Sequence, residues 1–157
     1  RISNKTFIGC PERLNIENHV FIGHYNFIEA SGGISIGEGC QLTNFISMTT
    51  HSSHISIRLY GNKYMNAKKL VGYVSGCISL GDYTFVGPHS VIMPNTYVGK
   101  GSLITAYSLV RGDFPDFSII SGNPAKRVGD TRDMDRPYLH ENSELKSFYN
   151  SWAEGCK

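Results

Sequence analysis

The chain has 157 residues, of which 40% are hydrophobic and 18% charged, and its formal net charge is +2. This length suits one domain with one core. The nearly neutral charge and the lack of a basic run exclude a typical nucleic-acid or anionic-membrane binder and favour a small-molecule partner. No apolar run approaches the roughly 20 residues that span a bilayer, and no signal peptide is recognisable. The chain begins at Arg1 rather than at Met, so we expect a trimmed fragment.

The four cysteines are far apart and form no CxxC pair, which favours reduced thiols and a cytoplasmic protein. They are Cys10, Cys40, Cys77 and Cys156.

A six-residue rule begins in the first third of the chain, where Ile16, Ile22 and Ile28 are six apart. After the pair Gly32 and Gly33 the rule resumes at Ile36, eight residues beyond Ile28, and continues to Leu42 and Met48. Glycine pairs let a turn bulge at little steric cost. The sequence therefore predicts a two-residue insertion at a corner.

The rule fails in residues 51–77, which are polar, basic and aromatic. Long loops in compact domains are usually functional or disordered. We interpret this segment as a loop that leaves the repeat and closes over a substrate, with Tyr60, Lys63 and Tyr64 shaping specificity.

Residues 78–110 follow the rule most strictly. Branched or long aliphatic residues recur every six positions, at Leu80, Val86, Ile92, Val98, Ile104 and Val110. Small hydroxyl residues keep the same period four positions later, at Thr84, Ser90, Thr96, Ser102 and Ser108. A helix repeats every 3.6 residues and a strand every 2, so this period indicates stacked coils. Three hexads would form one triangular coil, with the aliphatic residues inside.

The chain ends with a change of pattern. Ile119 and Ile120 suggest one more strand. Apolar residues between Glu144 and Trp152 recur at helical spacing, so we expect a short helix capped by Ser143, and Pro137 argues against an earlier start. We therefore divide the chain into a β domain at 1–130, with its loop at about 51–77, and a partly helical extension at 131–157.

These repeats resemble the hexapeptide-repeat acyltransferases, and most closely the galactoside and maltose O-acetyltransferases. The motifs are SMTTH at 47–51, ISLGDYTFVG at 78–87 and SGNPAKRV at 121–128. The resemblance implies an all-β fold, a single-stranded left-handed parallel β-helix with a long loop excursion and a short C-terminal helical extension. It also implies a homotrimer with active sites between the subunits.

The resemblance makes His51, at the end of SMTTH, the catalytic general base for direct attack by an acceptor hydroxyl on a thioester. A neutral imidazole suits this task near pH 7. His54 is the competitor or an assisting residue. The alternative for His51 is an exposed loop histidine without a catalytic role.

The same resemblance implies acetyl-CoA as the co-substrate, with no metal. Its expected contacts are Gly87 and Ala106 for the pantetheine arm, and Arg111, Lys126 and Arg127 for the phosphates. The family's GAGS segment is Thr105-Ala106-Tyr107-Ser108 here, so a tyrosine replaces a glycine beside the expected pantetheine slot.

For the acceptor, the resemblance suggests Asn26 and Glu29, which precede the two-residue insertion. Phe85 stands where the family often has tryptophan, and it would stack on a sugar face or pack between subunits.

The function predicted from these residues is transfer of an acetyl group to a sugar hydroxyl, in the synthesis of a bacterial surface polysaccharide or its precursor. The alternatives within the fold are acetylation of an antibiotic or an amino sugar. Two further alternatives are a γ-carbonic-anhydrase-like metal enzyme, for which His19 and His24 would be ligands, and a non-catalytic solenoid.

Overall fold

The computed structural model describes residues 1–154. Cys156 and the end of the extension lie outside this range. The strands in chain order are β1 (Phe7–Gly9), β2 (Leu14–Ile16), β3 (Phe21–Ile22), β4 (Phe27–Glu29), β5 (Ile34–Ile36), β6 (Gln41–Leu42), β7 (Ser47–Thr49), β8 (His51–Ser52), β9 (Val74–Ser75), β10 (Ile78–Leu80), β11 (Phe85–Val86), β12 (Val91–Val98), β13 (Leu103–Ile104), β14 (Leu109–Phe114), β15 (Ser118–Gly122) and β16 (Ala125–Asp130).

Short strands stack in parallel into the three faces of a coil. The first face holds β1, β4, β7 and the beginnings of β12 and β14. The second face holds β2, β5, β10 and the ends of β12 and β14. The third holds β3, β6, β11, β13 and β15. The triangular coil predicted from the hexads is therefore confirmed.

The core is the column of aliphatic side chains inside this coil. Val86, Ile92, Ile104 and Val110 are fully buried, and Leu80 and Val98 are no more than 3% exposed. The small hydroxyl residues lie at the turns and are also buried, because each donates a hydrogen bond to a backbone carbonyl. Ser90 donates to Thr105 at 3.0 Å, for example.

The corners require unusual backbone. Gly33, at the expected insertion, has a φ of +92°, and a turn separates β4 from β5 there. Larger residues also take the left-handed conformation at other corners. Four of them stack their rings along the edge between the third and first faces, with centroids 4.8 to 5.3 Å apart: Tyr25, Phe45, His89 and Tyr107.

Residues 51–77 leave the coil as a loop with its own local structure. The antiparallel pair β8 and β9 forms its base. Above the base lie α1 (Ser56–Tyr60) and a 3-10 helix, Gly61–Asn66.

The end of the coil is closed by an antiparallel hairpin of β15 and β16, followed by two helices, α2 (Thr131–Glu141) and α3 (Leu145–Ala153). The strand expected at Ile119 and Ile120 is confirmed as part of β15.

Two expectations for the helical extension are wrong. Pro137 lies inside α2, which begins six residues earlier. Asp130 caps this helix by accepting a hydrogen bond from the Arg132 amide at 3.0 Å. Ser143 does not cap α3, whose N-cap is Glu144.

Candidate functional site

The candidate catalytic histidine lies where the repeat gives way to the loop. Thr50 is fully buried at the end of β7. The next residue, His51, begins β8, and its side chain is 37% exposed. The coil thus fixes the backbone of His51 while its ring reaches solvent.

Glu29, on the neighbouring strand β4, holds this ring. Its Oε2 lies 2.8 Å from Nδ1 of His51, and Ser31 Oγ lies 3.2 Å from the same nitrogen. The Glu29 side chain is only 14% exposed. Thr50 Oγ1 donates to Oε2 at 2.9 Å, and the Ser31 amide donates to Oε1 at 2.9 Å. The carboxylate is therefore fixed before any ligand binds.

These contacts decide the charge of Glu29. Partial burial alone would raise the pKa of the carboxyl group, but hydrogen bonds from Ser31, Thr50 and His51 lower it to about 2. An ionised carboxylate can only accept hydrogen bonds. Nδ1 of His51 therefore donates its hydrogen to Glu29, and in a neutral ring the lone pair would then lie on Nε2.

The loop supplies a ring against His51 that the sequence did not point to. The rings of Tyr73 and His51 are nearly parallel, at an interplanar angle of 11°, with centroids 5.6 Å apart. Twenty-two residues separate them, and they meet because β8 pairs with β9. Only that pairing, which no sequence period encodes, could have revealed the contact.

His54 lies three residues further into the loop. Its ring is exposed, and its Nδ1 lies 2.8 Å from Ser52 Oγ. Among the described residues it has no carboxylate partner within ion-pair distance, in contrast to His51.

Two of the residues expected to contact the acceptor form hydrogen bonds within the chain. Asn26 is 2% exposed, and its amide nitrogen donates to the carbonyls of Gly23 and Thr43, while its amide oxygen accepts from the Ile46 amide. Asn26 is thus a hydrogen-bonding element of the coil. Glu29 is also engaged, because it orients His51.

Phe85 lies on the third face, away from the corner that carries His51. It is 40% exposed and lines a groove of about 790 Å³ between this face and the two C-terminal helices. The other aromatic residues of the groove are Tyr83, Tyr138, Phe148, Tyr149 and Trp152. In one chain, Phe85 is therefore not part of the His51 site.

The two residues expected to line the pantetheine arm behave differently. Gly87 is buried, its amide donates to Ile104, and a Cβ added to it would lie 2.5 Å from the Ala106 nitrogen. This glycine serves the close approach of two coils, and its contact with the pantetheine arm stays a prediction. Ala106 is exposed at the corner between the third and first faces.

The expected phosphate contacts are also divided. Lys126 is exposed and pairs with Ser121, whose hydroxyl contacts Thr105 beside Ala106. Arg127 is engaged in an ion pair with Asp130 at 3.0 Å. Arg111 is exposed. It directly follows the part of β14 that belongs to the first face, so it lies at the same edge of that face as His51.

The structure thus brings Glu29 to His51, and Lys126 to the corner of Ala106. These two groups lie at opposite edges of the first face, because Ala106 precedes a strand of that face and His51 follows one. Within residues 1–154, no group of three or more histidine, cysteine or acidic side chains could hold a metal ion, and no helix is long and apolar enough to cross a membrane.

No protein-family model matches the chain. Curated relatives do match. The chain is 26% identical over 136 residues to serine acetyltransferase 2 of Arabidopsis thaliana, covering 87% of this chain and 38% of that protein. It is 28% identical over 102 residues to galactoside O-acetyltransferase of Escherichia coli K12, covering 65% and 45%. A putative lipopolysaccharide biosynthesis O-acetyl transferase of the same organism is 25% identical over 128 residues, covering 79% and 60%.

Solved structures share the fold. A maltose O-acetyltransferase from Clostridium difficile superposes with a TM-score of 0.70 at 19% identity, covering 82% of this chain and 65% of that one. A galactoside acetyltransferase in complex with coenzyme A gives 0.58 at 21% identity, covering 84% and 65%. The resemblance to the hexapeptide-repeat acetyltransferases is therefore confirmed, and this chain spans 38 to 60% of the three relatives named above.

Proposed function

We propose that this protein is an acetyl-CoA-dependent O-acetyltransferase that acts on a sugar hydroxyl. The observation that carries the proposal is the 2.8 Å contact between Glu29 and Nδ1 of His51, because it leaves Nε2 available as a base on a partly exposed ring. Known acetyltransferases resemble the chain in sequence and fold, and one of them was solved with coenzyme A.

The proposed reaction is direct transfer. Nε2 of His51 removes the proton of the acceptor hydroxyl as its oxygen attacks the thioester carbonyl. The tetrahedral intermediate then collapses, the carbon–sulfur bond breaks, and His51 returns the proton to the departing thiolate. Glu29 stabilises the imidazolium between these two steps, as a buried carboxylate does for a catalytic histidine elsewhere.

The donor site in this proposal uses Ala106 and Lys126, with Arg111 nearer the His51 edge. Lys126 is exposed and suits a phosphate of coenzyme A as a point charge. Arg127 would first have to leave Asp130. The proposed reaction needs no covalent nucleophile from the described residues, because the acceptor hydroxyl attacks the thioester directly.

We also propose that the active protein is a homotrimer with its sites between subunits. Ala106 and Lys126 lie across the first face from His51, so the corresponding edge of a second copy would complete the cleft. Co-expressing a His51→Ala chain with a Lys126→Ala chain should restore part of the activity if sites are shared, since some clefts would then have both residues intact. Activity no higher than that of the separate variants would contradict shared sites.

The biological setting is proposed to be the cytoplasmic synthesis of a bacterial surface polysaccharide or its precursor. One relative has a putative role in lipopolysaccharide synthesis, and Cys10, Cys40 and Cys77 are free thiols. The left-handed sense of the coil and the division at residue 130 stay predictions.

The direct test is to incubate the purified protein with acetyl-CoA and a panel of sugars, amino sugars and serine, and to follow free thiol. Thiol release that depends on a sugar hydroxyl is expected. Release with serine alone, or with none of the acceptors, would contradict the proposal.

A further inference from the structure

The groove between the third face and the two C-terminal helices has a wall made largely of aromatic rings. Its volume is about 790 Å³, and six of the residues that line it are aromatic. Two of these rings, Tyr138 and Phe148, are 68% and 71% exposed. Small-molecule sites commonly have volumes of roughly 300–1,000 Å³ and apolar, aromatic walls. The size and the lining of this groove therefore suit a small ligand, and the proposed transfer reaction uses none of its aromatic residues.

Hydrogen bonds tie both helices of the groove to the coil. Thr131 Oγ1, at the start of α2, donates to the Gly101 carbonyl at 2.7 Å. Lys100 Nζ donates to the Trp152 carbonyl, near the end of α3, at 3.0 Å. The centroid of the Trp152 ring lies 4.6 Å from that of Tyr83. The groove is therefore a formed feature of the single chain.

Asp135 is the only charged residue among those of residues 1–154 that line the groove. Tyr149 Oη donates to its Oδ2 at 3.1 Å. Burial raises the pKa of Tyr149 to about 12, and the Asp135 carboxylate contributes to this rise, so the phenol stays neutral. Within the described part of the chain, no lysine or arginine lies within ion-pair distance of Asp135. A partly buried carboxylate thus lines an aromatic wall without a cationic partner.

The helices around the groove also carry an excess of negative charge. Residues 131–154 contain five acids against three arginines and lysines, although the whole chain has a formal net charge of +2. Two of these three cations already contact carboxylates. Arg132 forms an ion pair with Asp130 at 2.7 Å, and Arg136 forms one with Asp133 at 2.8 Å. The charge of the groove is therefore complementary to a cation.

The aromatic rings favour the same kind of ligand. The face of an aromatic ring is negative, so it attracts a cation that lies within about 6 Å of its centroid. The chain itself makes such a contact beside the groove, where the guanidinium carbon of Arg132 lies 4.9 Å from the centroid of Phe117. The Phe117 ring in turn lies 5.8 Å from Trp152. A ligand that is both apolar and positively charged would use the rings and the carboxylate together.

We infer that this groove binds a small organic ammonium ion, with its apolar groups against Tyr138 and Phe148 and its charge near Asp135. The groove is formed by the third face and the helices, whereas His51 follows a strand of the first face. The inference therefore concerns a second binding site and does not depend on the proposed function.

Trp152 is the only tryptophan of the chain, so its fluorescence reports on the groove directly. The test titrates the full chain with benzyltrimethylammonium, benzyl alcohol and phenylacetate, which carry the same benzyl group with a positive, a neutral and a negative head. The groove variants are Asp135→Asn and Phe148→Ala. The matched control, Asp133→Asn, removes the same charge from the same helix at a position that does not line the groove. Circular dichroism checks that each variant is folded.

Benzyltrimethylammonium should change the emission of Trp152 saturably. Its affinity should fall roughly tenfold in Asp135→Asn and in Phe148→Ala, because each removes one of the two attractions. The affinity should be unchanged in Asp133→Asn and in His51→Ala. Benzyl alcohol should bind more weakly than the cation, and phenylacetate most weakly. The preference for the cation should shrink in high salt.

Four results would overturn the inference: no saturable change with the cation, equal affinity for the three probes, equal weakening in Asp135→Asn and Asp133→Asn, or loss of binding in His51→Ala. A second copy or a peptide seated in the groove would give the first of these results. The titration requires no turnover. Binding of the cation without acetyl transfer would count against the proposed function only, and acetyl transfer without such binding would count against this inference only.

Discussion

Oε2 of Glu29 lies 2.8 Å from Nδ1 of His51, although the two residues are 22 positions apart. The coil creates this contact, because Glu29 ends β4 and His51 follows β7, the next strand of the same face. The Ser31 amide donates a hydrogen bond to Oε1 of the carboxylate, and the Thr50 hydroxyl donates one to Oε2. The arrangement holds the His51 ring in one orientation, as the proposed role of a general base requires.

Replacing Glu29 by Gln should lower kcat by roughly 10²- to 10⁴-fold, because a neutral amide neither fixes the Nδ1–H tautomer nor stabilises the imidazolium. The KM for the acceptor should change little, since Glu29 is engaged with His51. Steady-state kinetics over a range of pH checks this, with the exposed Glu12→Gln as the control. A raised KM at unchanged kcat would instead support an acceptor contact for Glu29.

Acid should remove a stabilising contribution from Glu29. Its pKa is about 2 in the folded protein against an ordinary 4.5, so the unfolded chain binds more protons between these values. The contribution is complete above pH 4.5 and disappears as the pH falls towards 2. Urea unfolding of the wild type and Glu29→Gln should show a stability gap that narrows over this window, whereas a constant gap would contradict the assigned shift.

Asn26→Ala should destabilise the coil by about 2–4 kcal/mol, because the Ile46 amide and two carbonyls would lose their buried partner. The exposed Asn18→Ala should cost less than about 0.5 kcal/mol. Denaturant midpoints measure both. Normal stability with a raised acceptor KM would restore the acceptor role first expected for Asn26.

Ile92→Ala should cost about 2–5 kcal/mol, because this fully buried residue fills the interior of the coil. Ile57, in the loop, is 53% exposed, and its replacement by Ala should have little effect on the free energy of unfolding. Thermal unfolding of both variants tests whether stability resides in the coil. Equal losses would contradict the hexad packing.

The coil could be predicted because its rule is local. When three faces close around an axis, a branched aliphatic residue at every sixth position points into the interior of the coil. Ile104 is fully buried accordingly. The turn at Gly33 followed from the same count. Predicting the coil therefore required only the spacing of the aliphatic residues and the steric freedom of glycine.

The site was predicted only in part. SMTTH pointed to His51, but its partner Glu29 was assigned to the acceptor, because contacts between coils depend on the register of strands about 20 residues apart. The Tyr73 contact depends on a β-ribbon outside the repeat. Helix α2 also escaped prediction, since Pro137 lies inside it and a proline usually disfavours a helix interior.

The most direct measurement compares His51→Ala with His54→Ala for acceptor-dependent consumption of acetyl-CoA. His51→Ala should lose activity by at least roughly 100-fold, the usual contribution of a general base, while His54→Ala retains most of it. Circular dichroism of both variants confirms that they are folded. Loss of activity in His54→Ala alone would contradict the central role given to His51.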